Sequence, residues 1–492
     1  MTDEARILAA IGLPLAGALG IWATGRAPNL REAVTLVTAV LLCLDVYLLL
    51  PGVLAGGRPE IVLFELFPGV PFAFRVEPLG MIFAAVASLL WIVNSIYSIG
   101  YMRGNGETHQ TRFYVCFALA LGATMGIAFA ANLVTMFTFY EALTLSTYPL
   151  VTHKGDARAM AAGRTYLGIL LSTSIGLQLL AIIWTWQIAG HVDFEAGGIL
   201  AGRIQGPLVG LLLFLFMFGI GKAALMPIHR WLPAAMVAPT PVSALLHAVA
   251  VVKAGVFAVV KVIVYIFGLD LLAAEPSTDW LPYVAGFTII VASVIALRQD
   301  NLKLRLAYST VSQLSYVILA AAILAPLSVV GAALHIAAHA VGKITLFFAA
   351  GSIYTASAKT EISQLAGIGR RMPWTMAAFA VGTLSMIGLP PTAGFISKWF
   401  ILAGAISAQA WLAIAVIVAS TILNAAYFAP IVYAAFFRPE AASTVGAARA
   451  EHGEAPLAIV IGLTATAALT VLLFLYPGPA LDLAEQLVER VP

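Results

Sequence analysis

Apolar stretches of about twenty residues recur from one end of this chain to the other, and that recurrence decides most of what it can fold into. Such a length matches a bilayer core of roughly 30 Å. Inside hydrocarbon every backbone group must bond within the protein, so each spanning piece has to be a helix. Fourteen spans can be marked, at about 5–24, 32–54, 79–100, 113–131, 133–152, 165–189, 207–228, 241–268, 280–297, 304–323, 326–354, 373–405, 410–437 and 456–476. The expected fold class is an all-α polytopic membrane protein. Only 10% of its 492 residues are charged, against about 25% in a soluble domain. No hydrophilic segment is long enough for a separate soluble domain. The segment 58–78 alternates apolar and polar residues around a Pro-Gly turn, which predicts a small hairpin on one membrane face.

The two cysteines, Cys43 and Cys116, stand far apart in apolar stretches, so neither an iron–sulfur cluster nor a disulfide framework is expected. The opening MTDEARIL reads as the start of a retained span, without a cleavable signal. A net charge of +3 does not point to nucleic acid, because the basic residues sit in short loops and report topology. With the N-terminus outside, sixteen Lys and Arg, from Arg26 and Arg31 to Arg438 and Arg449, fall on the inner side. Five fall outside: Arg6, Arg58, Arg75, Arg203 and Arg490. That bias places both termini on the outer side of a bacterial inner membrane.

The remaining five basic residues all lie within spans and all are lysine: Lys222, Lys253, Lys261, Lys343 and Lys398. Only Asp45 and Glu141 among the carboxylates fall well inside a span. Each such charge costs roughly 2.5–3.5 kcal/mol on insertion scales. Arginine stays protonated, whereas a desolvated lysine can release its proton. Buried lysines around one glutamate therefore suggest a proton relay, weighed against structural ion pairs and snorkelling stems. Lys222 precedes Pro227 in span seven, and Lys398 follows Gly388-Leu389-Pro390-Pro391 in span twelve, so both spans should be discontinuous. They stand five spans apart. A repeat of an odd number of helices must be inverted, which sets 113–268 (spans four to eight) against 280–437 (spans nine to thirteen). Residues 1–112 form an N-terminal unit and 438–492 the last span and tail. Interrupted helices in equivalent halves point to an ion site.

His335, His339 and Lys343 recur at four-residue spacing and share one face of span eleven. Two histidines without a nearby carboxylate or thiolate do not make a zinc site, so no metal or cofactor is expected. They suit proton transfer between the halves, or hydrogen bonds between helices. His247 is open between relay and structure, and His229, which follows Pro227 near the cytoplasmic face, is a candidate for an entrance. Lys261 can snorkel outward from a continuous segment. Asp45 should pair with a neighbouring helix or subunit.

The motifs TFYEALTLSTYPLV (138–151), GKAALMPIHRWLPAAMVAPTPVSALLHAVAVVKAGVF (221–257), LAYSTVSQLSYV (306–317), HIAAHAVGKITLFF (335–348) and GLPPTAGFISKWF (388–400) resemble the antiporter-like subunits. That family is shared by Mrp-type multisubunit cation/proton antiporters, respiratory complex I and membrane-bound hydrogenases. The resemblance implies fourteen helices with two inverted five-helix repeats. It also implies a Glu141–Lys222 pair, Lys253 as central relay, and Lys398 at the link to the outer side. Length and the GLPPTAGF break are most similar to the D subunit of Mrp antiporters. The chain ends soon after span fourteen, so the long lateral helix of one complex I subunit is not expected. The function implied is proton translocation within a multisubunit cation/proton antiporter, with protons and either Na+ or K+ as cargo. Other membrane subunits and the lipid bilayer are the partners, with no nucleic acid. The alternative is a proton-pumping subunit of an NADH-quinone oxidoreductase or hydrogenase, in a chain that itself holds no redox cofactor.

Overall fold

The computed structural model describes residues 2–440 and 453–489, and all side chains within them except those of Leu246 and His247. His247, Arg449 and Arg490, weighed above, thus lie outside what is described. The chain is a polytopic helical membrane protein, and each of the fourteen expected spans is one helix or a succession of helical pieces. Among the described residues nine helices are long and apolar enough to cross a bilayer, from Asp3–Ala23 to Leu457–Leu475. Spans five (Leu133–Val151) and ten (Leu302–Ala322) are continuous but more polar, the one carrying Glu141 and the other opening on Lys303 and Arg305.

Short-range chemistry sets the helix starts. Asn132, Asp156 and Asn301 each accept a hydrogen bond from the backbone N–H three residues on, satisfying an amide the first turn leaves free. Span seven stops after Pro207–Gly219, passes through tight turns at Gly221–Ala223 and Ile228–Arg230, and resumes at Trp231–Ala234. Span twelve is two helices, Pro373–Ile387 and Ala393–Ser407. Both interruptions fall where proline removes a donor.

Span eight departs from the expected continuous helix. Its α-helical pieces, Thr240–Ala244 and Val251–Lys261, alternate with wider π turns at Leu245–Val249 and Val262–Phe267. The hydrophobic pattern is blind to such turns, because they change hydrogen-bond pairing without changing composition. Span eleven (Pro326–Ser357) is the most enclosed of these helices: its apolar window is wholly buried, against 33% for Leu457–Leu475.

The hairpin forms as read, with strand β1 (Glu60–Phe67) antiparallel to β2 (Val70–Arg75). Strand β2 lies inward, and Arg75 N donates to Phe129 O at 2.7 Å. A final helix, Gly478–Glu485, follows the last span and was not legible in the sequence. Its neighbour Gln486 bonds Arg58 and the carbonyl of Leu54, which ties it to the end of span two.

Candidate functional site

All five intramembrane lysines are buried, with exposures of 0% for Lys222, Lys261 and Lys343, 1% for Lys253 and 6% for Lys398. None reaches water along its stem, so each ammonium needs a partner inside the protein.

Lys222 sits in the break of span seven and reaches across to span five. Its Nζ donates to Tyr140 O at 2.8 Å and Thr144 Oγ1 at 2.6 Å, and lies over the Tyr140 ring. Its backbone N–H donates to the Tyr140 hydroxyl. The broken backbone is capped by Trp231 Nε1, which donates to Gly221 O at 3.0 Å. Span eight presses against the break at Gly255, where a Cβ would stand 2.4 Å from the Lys222 carbonyl carbon. Only glycine fits there.

Glu141 adjoins this cluster but does not close an ion pair with Lys222. Both carboxylate oxygens are buried, and neither has a hydrogen-bond partner among the described residues. The pairing implied by the resemblance is therefore absent in this conformation: Lys222 is held by neutral oxygens, and Glu141 acts on it only across a gap.

Lys253 leads into the second half. Its Nζ is in direct contact with His339 Nδ1. The His339 and His335 rings lie 5.9 Å apart and nearly parallel. His335 then forks. Nδ1 meets Ser397 Oγ at 2.9 Å, and Nε2 meets Gln313 Oε1 at 3.0 Å. Ser397 precedes Lys398, whose Nζ donates to Met386 O at 2.8 Å and Ile387 O at 3.2 Å. Those carbonyls end the first half of span twelve, where a helix terminus leaves them unbonded and favours a cation. Gly388 makes room for this: its φ is +92°, and a Cβ there would lie 2.6 Å from Lys398 Cδ. The other branch runs from Gln313 to Asn424, Tyr427 and Ser309, which accepts from Lys343 Nζ at 2.8 Å.

The structure thus gathers Lys253, His339, His335 and Lys343 into one polar chain that reaches Ser397, next in sequence to Lys398, with Glu141 and Lys222 as a second cluster. Among the described residues no hydrogen bond or ion pair joins Lys222 to Lys253 directly. Sequence reading missed Tyr140, Thr144, Ser309, Gln313, Ser397, Asn424 and Tyr427. Ser309, Gln313 and Tyr316 share one helix face within a motif quoted above, and that spacing was the available signal.

Lys261 departs from its expected place. It does not snorkel: it is enclosed, ion-paired with Glu77 and surrounded by the rings of Phe194, Phe257 and Tyr265. Glu77 lies just before span three, 184 residues away, so no local pattern revealed the pair. Asp45 does pair with a neighbouring helix, through Arg6 at 3.5 Å. His229 is half-buried with its ring 6.2 Å from Tyr308. The described residues include one His/carboxylate group with metal-ligand spacing, His191, Asp193 and Glu195. It lies in the loop after span six, flanking Phe194, whose ring covers Lys261, and burial there pushes the Asp193 carboxyl upward against the pull of His191 and Arg75.

A sequence-family profile described as NADH:quinone oxidoreductase/Mrp antiporter, transmembrane, matches residues 130–424. NADH-quinone oxidoreductase subunit N of Desulforudis audaxviator (strain MP104C) is 32% identical over 366 residues, covering 74% of this chain and 72% of that protein. A probable K(+)/H(+) antiporter subunit of Rhizobium meliloti (strain 1021) is also 32% identical, over 69% of this chain but only 33% of its own length. The fold superimposes on a chain of the Mrp complex from Dietzia sp. DQ12-45-1b with a TM-score of 0.86 at 21% identity, covering 99% of this chain and 97% of that one. A chain of the membrane-bound sulfane sulfur reductase, an archaeal respiratory membrane complex, gives 0.83 at 22% identity, covering 97% and 96%.

Proposed function

The chain belongs to the NADH:quinone oxidoreductase/Mrp antiporter transmembrane family, and from that premise we propose that it carries protons as one subunit of a multisubunit cation/proton antiporter. The observation that carries the reading is the contact chain from Lys253 through His339 and His335 to Ser397, beside Lys398. Each member can accept or release a proton, or pass one between its neighbours. The Glu141–Lys222 cluster is the control point. A carboxylate brought to a buried ammonium holds its proton on, and its withdrawal lets the proton go. A charge crossing about 180 mV needs about 4 kcal/mol, equal to about three pKa units, within reach of making and breaking one such pair.

In this reading residues 113–268 and 280–437 are inverted halves, with Lys222 and Lys398 at equivalent breaks. The chain lies in a bacterial inner membrane with both termini outside, and protons exchange against Na+ or K+. The partners are further membrane subunits. A second reading has its own support: the matched region spans 72% of the oxidoreductase subunit but 33% of the antiporter subunit. The same relay then serves a redox-driven pump. Identifying the subunits that co-purify with the chain separates the two.

The relay itself is tested at Lys253. If its charge must alternate, arginine fails although it keeps the cation, because arginine stays protonated in apolar surroundings. Lys253→Ala and Lys253→Arg should both lose at least about 90% of the flux in vesicles with matched subunit content, a tenfold effect or about 1.4 kcal/mol. Substantial flux in the arginine variant would leave Lys253 a structural cation.

A further inference from the structure

A cavity of about 770 Å³ opens at the ends of spans six, eight, ten and eleven, away from the relay. Its lining holds four cations, Lys154, Arg158, Lys303 and Lys359, and one carboxylate, Glu361. That carboxylate is engaged: its Oε1 accepts from Asn301 Nδ2 at 3.0 Å and Thr360 Oγ1 at 3.1 Å. Lys303 is anchored too, donating to Ala238 O at 2.6 Å. The other three cations differ. Lys154 and Arg158 are exposed at the rim and make no hydrogen bond or ion pair through their side chains within the described residues. Lys359 keeps 9% exposure; its ammonium is open to the cavity and likewise has no such partner there. Glu107 acts on Lys154 and Lys303 from behind, with its carboxyl pushed up by burial, but it does not line the cavity. The rest of the wall is mixed: an apolar patch from 161–162 and 233–237 adjoins polar Tyr101, Thr165, Thr240 and Tyr354.

We propose that this cavity binds a phosphate group, held by Lys359, Arg158 and Lys154 and carried by an anionic phospholipid head. Arginine and lysine converging on one space match phosphate oxygens. Basic pockets between helices at a membrane face take anionic head groups. The volume falls in the range of small-molecule sites, and the apolar patch on its wall suits the start of a lipid's acyl chains. Inorganic phosphate offers the same chemistry, and the test separates the two sources. The proposal does not depend on the relay.

The full chain is purified in its complex, stripped of lipid, and titrated with phosphatidylglycerol, phosphatidylcholine or inorganic phosphate. Bound lipid is counted by native mass spectrometry and bound phosphate by equilibrium dialysis. Phosphatidylglycerol is expected to fill one site at least tenfold more tightly than phosphatidylcholine. Lys154→Gln with Arg158→Gln should weaken that site at least tenfold, and Lys359→Gln should do the same. The first two residues are exposed, so their substitution leaves folding intact, and subunit content is measured on the same samples. Phosphate bound without lipid and lost in these variants supports the phosphate site with a free anion as its ligand. Equal binding by wild type and the Lys154/Arg158 variant, or no binding of either phosphate carrier, overturns the proposal.

Discussion

Two buried lysines in this molecule solve the same problem in opposite ways. Lys261 is locked: Glu77 meets its ammonium, three aromatic rings close around it, and Arg75 binds the far side of the same carboxylate at 2.9 Å. Lys222 is poised: two neutral oxygens and a ring face hold it, while Glu141, the nearby carboxylate, stays out of hydrogen-bond reach. A closed pair with all its oxygens engaged stabilises a fold and resists change. An open one leaves a buried carboxylate that no donor holds in place. The difference teaches that burial of a lysine does not mark function; the incompleteness of its surroundings does.

The largest effects should come from removing each carboxylate in turn. Glu141→Gln is expected to abolish nearly all flux, at least about a tenfold loss or 1.4 kcal/mol, while assembly of the complex survives. Glu77→Gln is expected to do the reverse. It strands the Lys261 ammonium, costs about 3–5 kcal/mol of stability, and empties the membrane of assembled protein. The measurement is vesicle flux normalised to subunit content, beside thermal unfolding of the purified complex. Flux that survives Glu141→Gln would erase the distinction.

The lysines themselves sharpen it. Lys398→Ala should cut flux per assembled complex at least about fivefold, or about 1 kcal/mol. Lys261→Ala should lower the amount of complex but leave the flux of each copy within about twofold, or about 0.4 kcal/mol. Equal losses per copy would mean that burial alone decides.

A smaller effect is expected when both members of the locked pair become apolar. Glu77→Met with Lys261→Met removes two charges together, and such replacements are often neutral within about 1–2 kcal/mol. Stability should return most of the way from the Glu77→Gln value. A double variant as unstable as the single one would give the pair a role beyond charge balance. The smallest change should follow Tyr140→Phe. It frees the Lys222 backbone N–H at a cost of about 1 kcal/mol, visible in unfolding and worth less than about twofold in flux, or about 0.4 kcal/mol.

Much of this was legible in the chain itself. Spans could be marked because hydrocarbon admits only long apolar helices, and the breaks at Lys222 and Lys398 because proline and glycine interrupt hydrogen bonding at their own positions. Span eleven's histidines fall on one face by helical spacing alone. What escaped was set by contacts between helices distant in sequence. Gln313 meets Asn424 across 111 residues and Lys261 meets Glu77 across 184, and no periodicity within one segment encodes either. The open state of Glu141 escaped for another reason: a motif names the residues of a pair, not whether the pair is closed.

The apolar window of the helix Pro326–Ser357 is wholly buried, whereas Pro28–Leu54 keeps only 39% of its window inside. A helix with a lipid-facing side can exchange Leu for Val or Ile there at little cost, so over generations its sequence drifts in a rhythm of three to four residues. Span eleven has no side on which such drift is free. Every position in its apolar stretch touches another helix, and a change of one methylene is felt by close-packed neighbours. Its sequence is therefore bound to that of the helices around it, and a viable change in one must wait for an answering change in another.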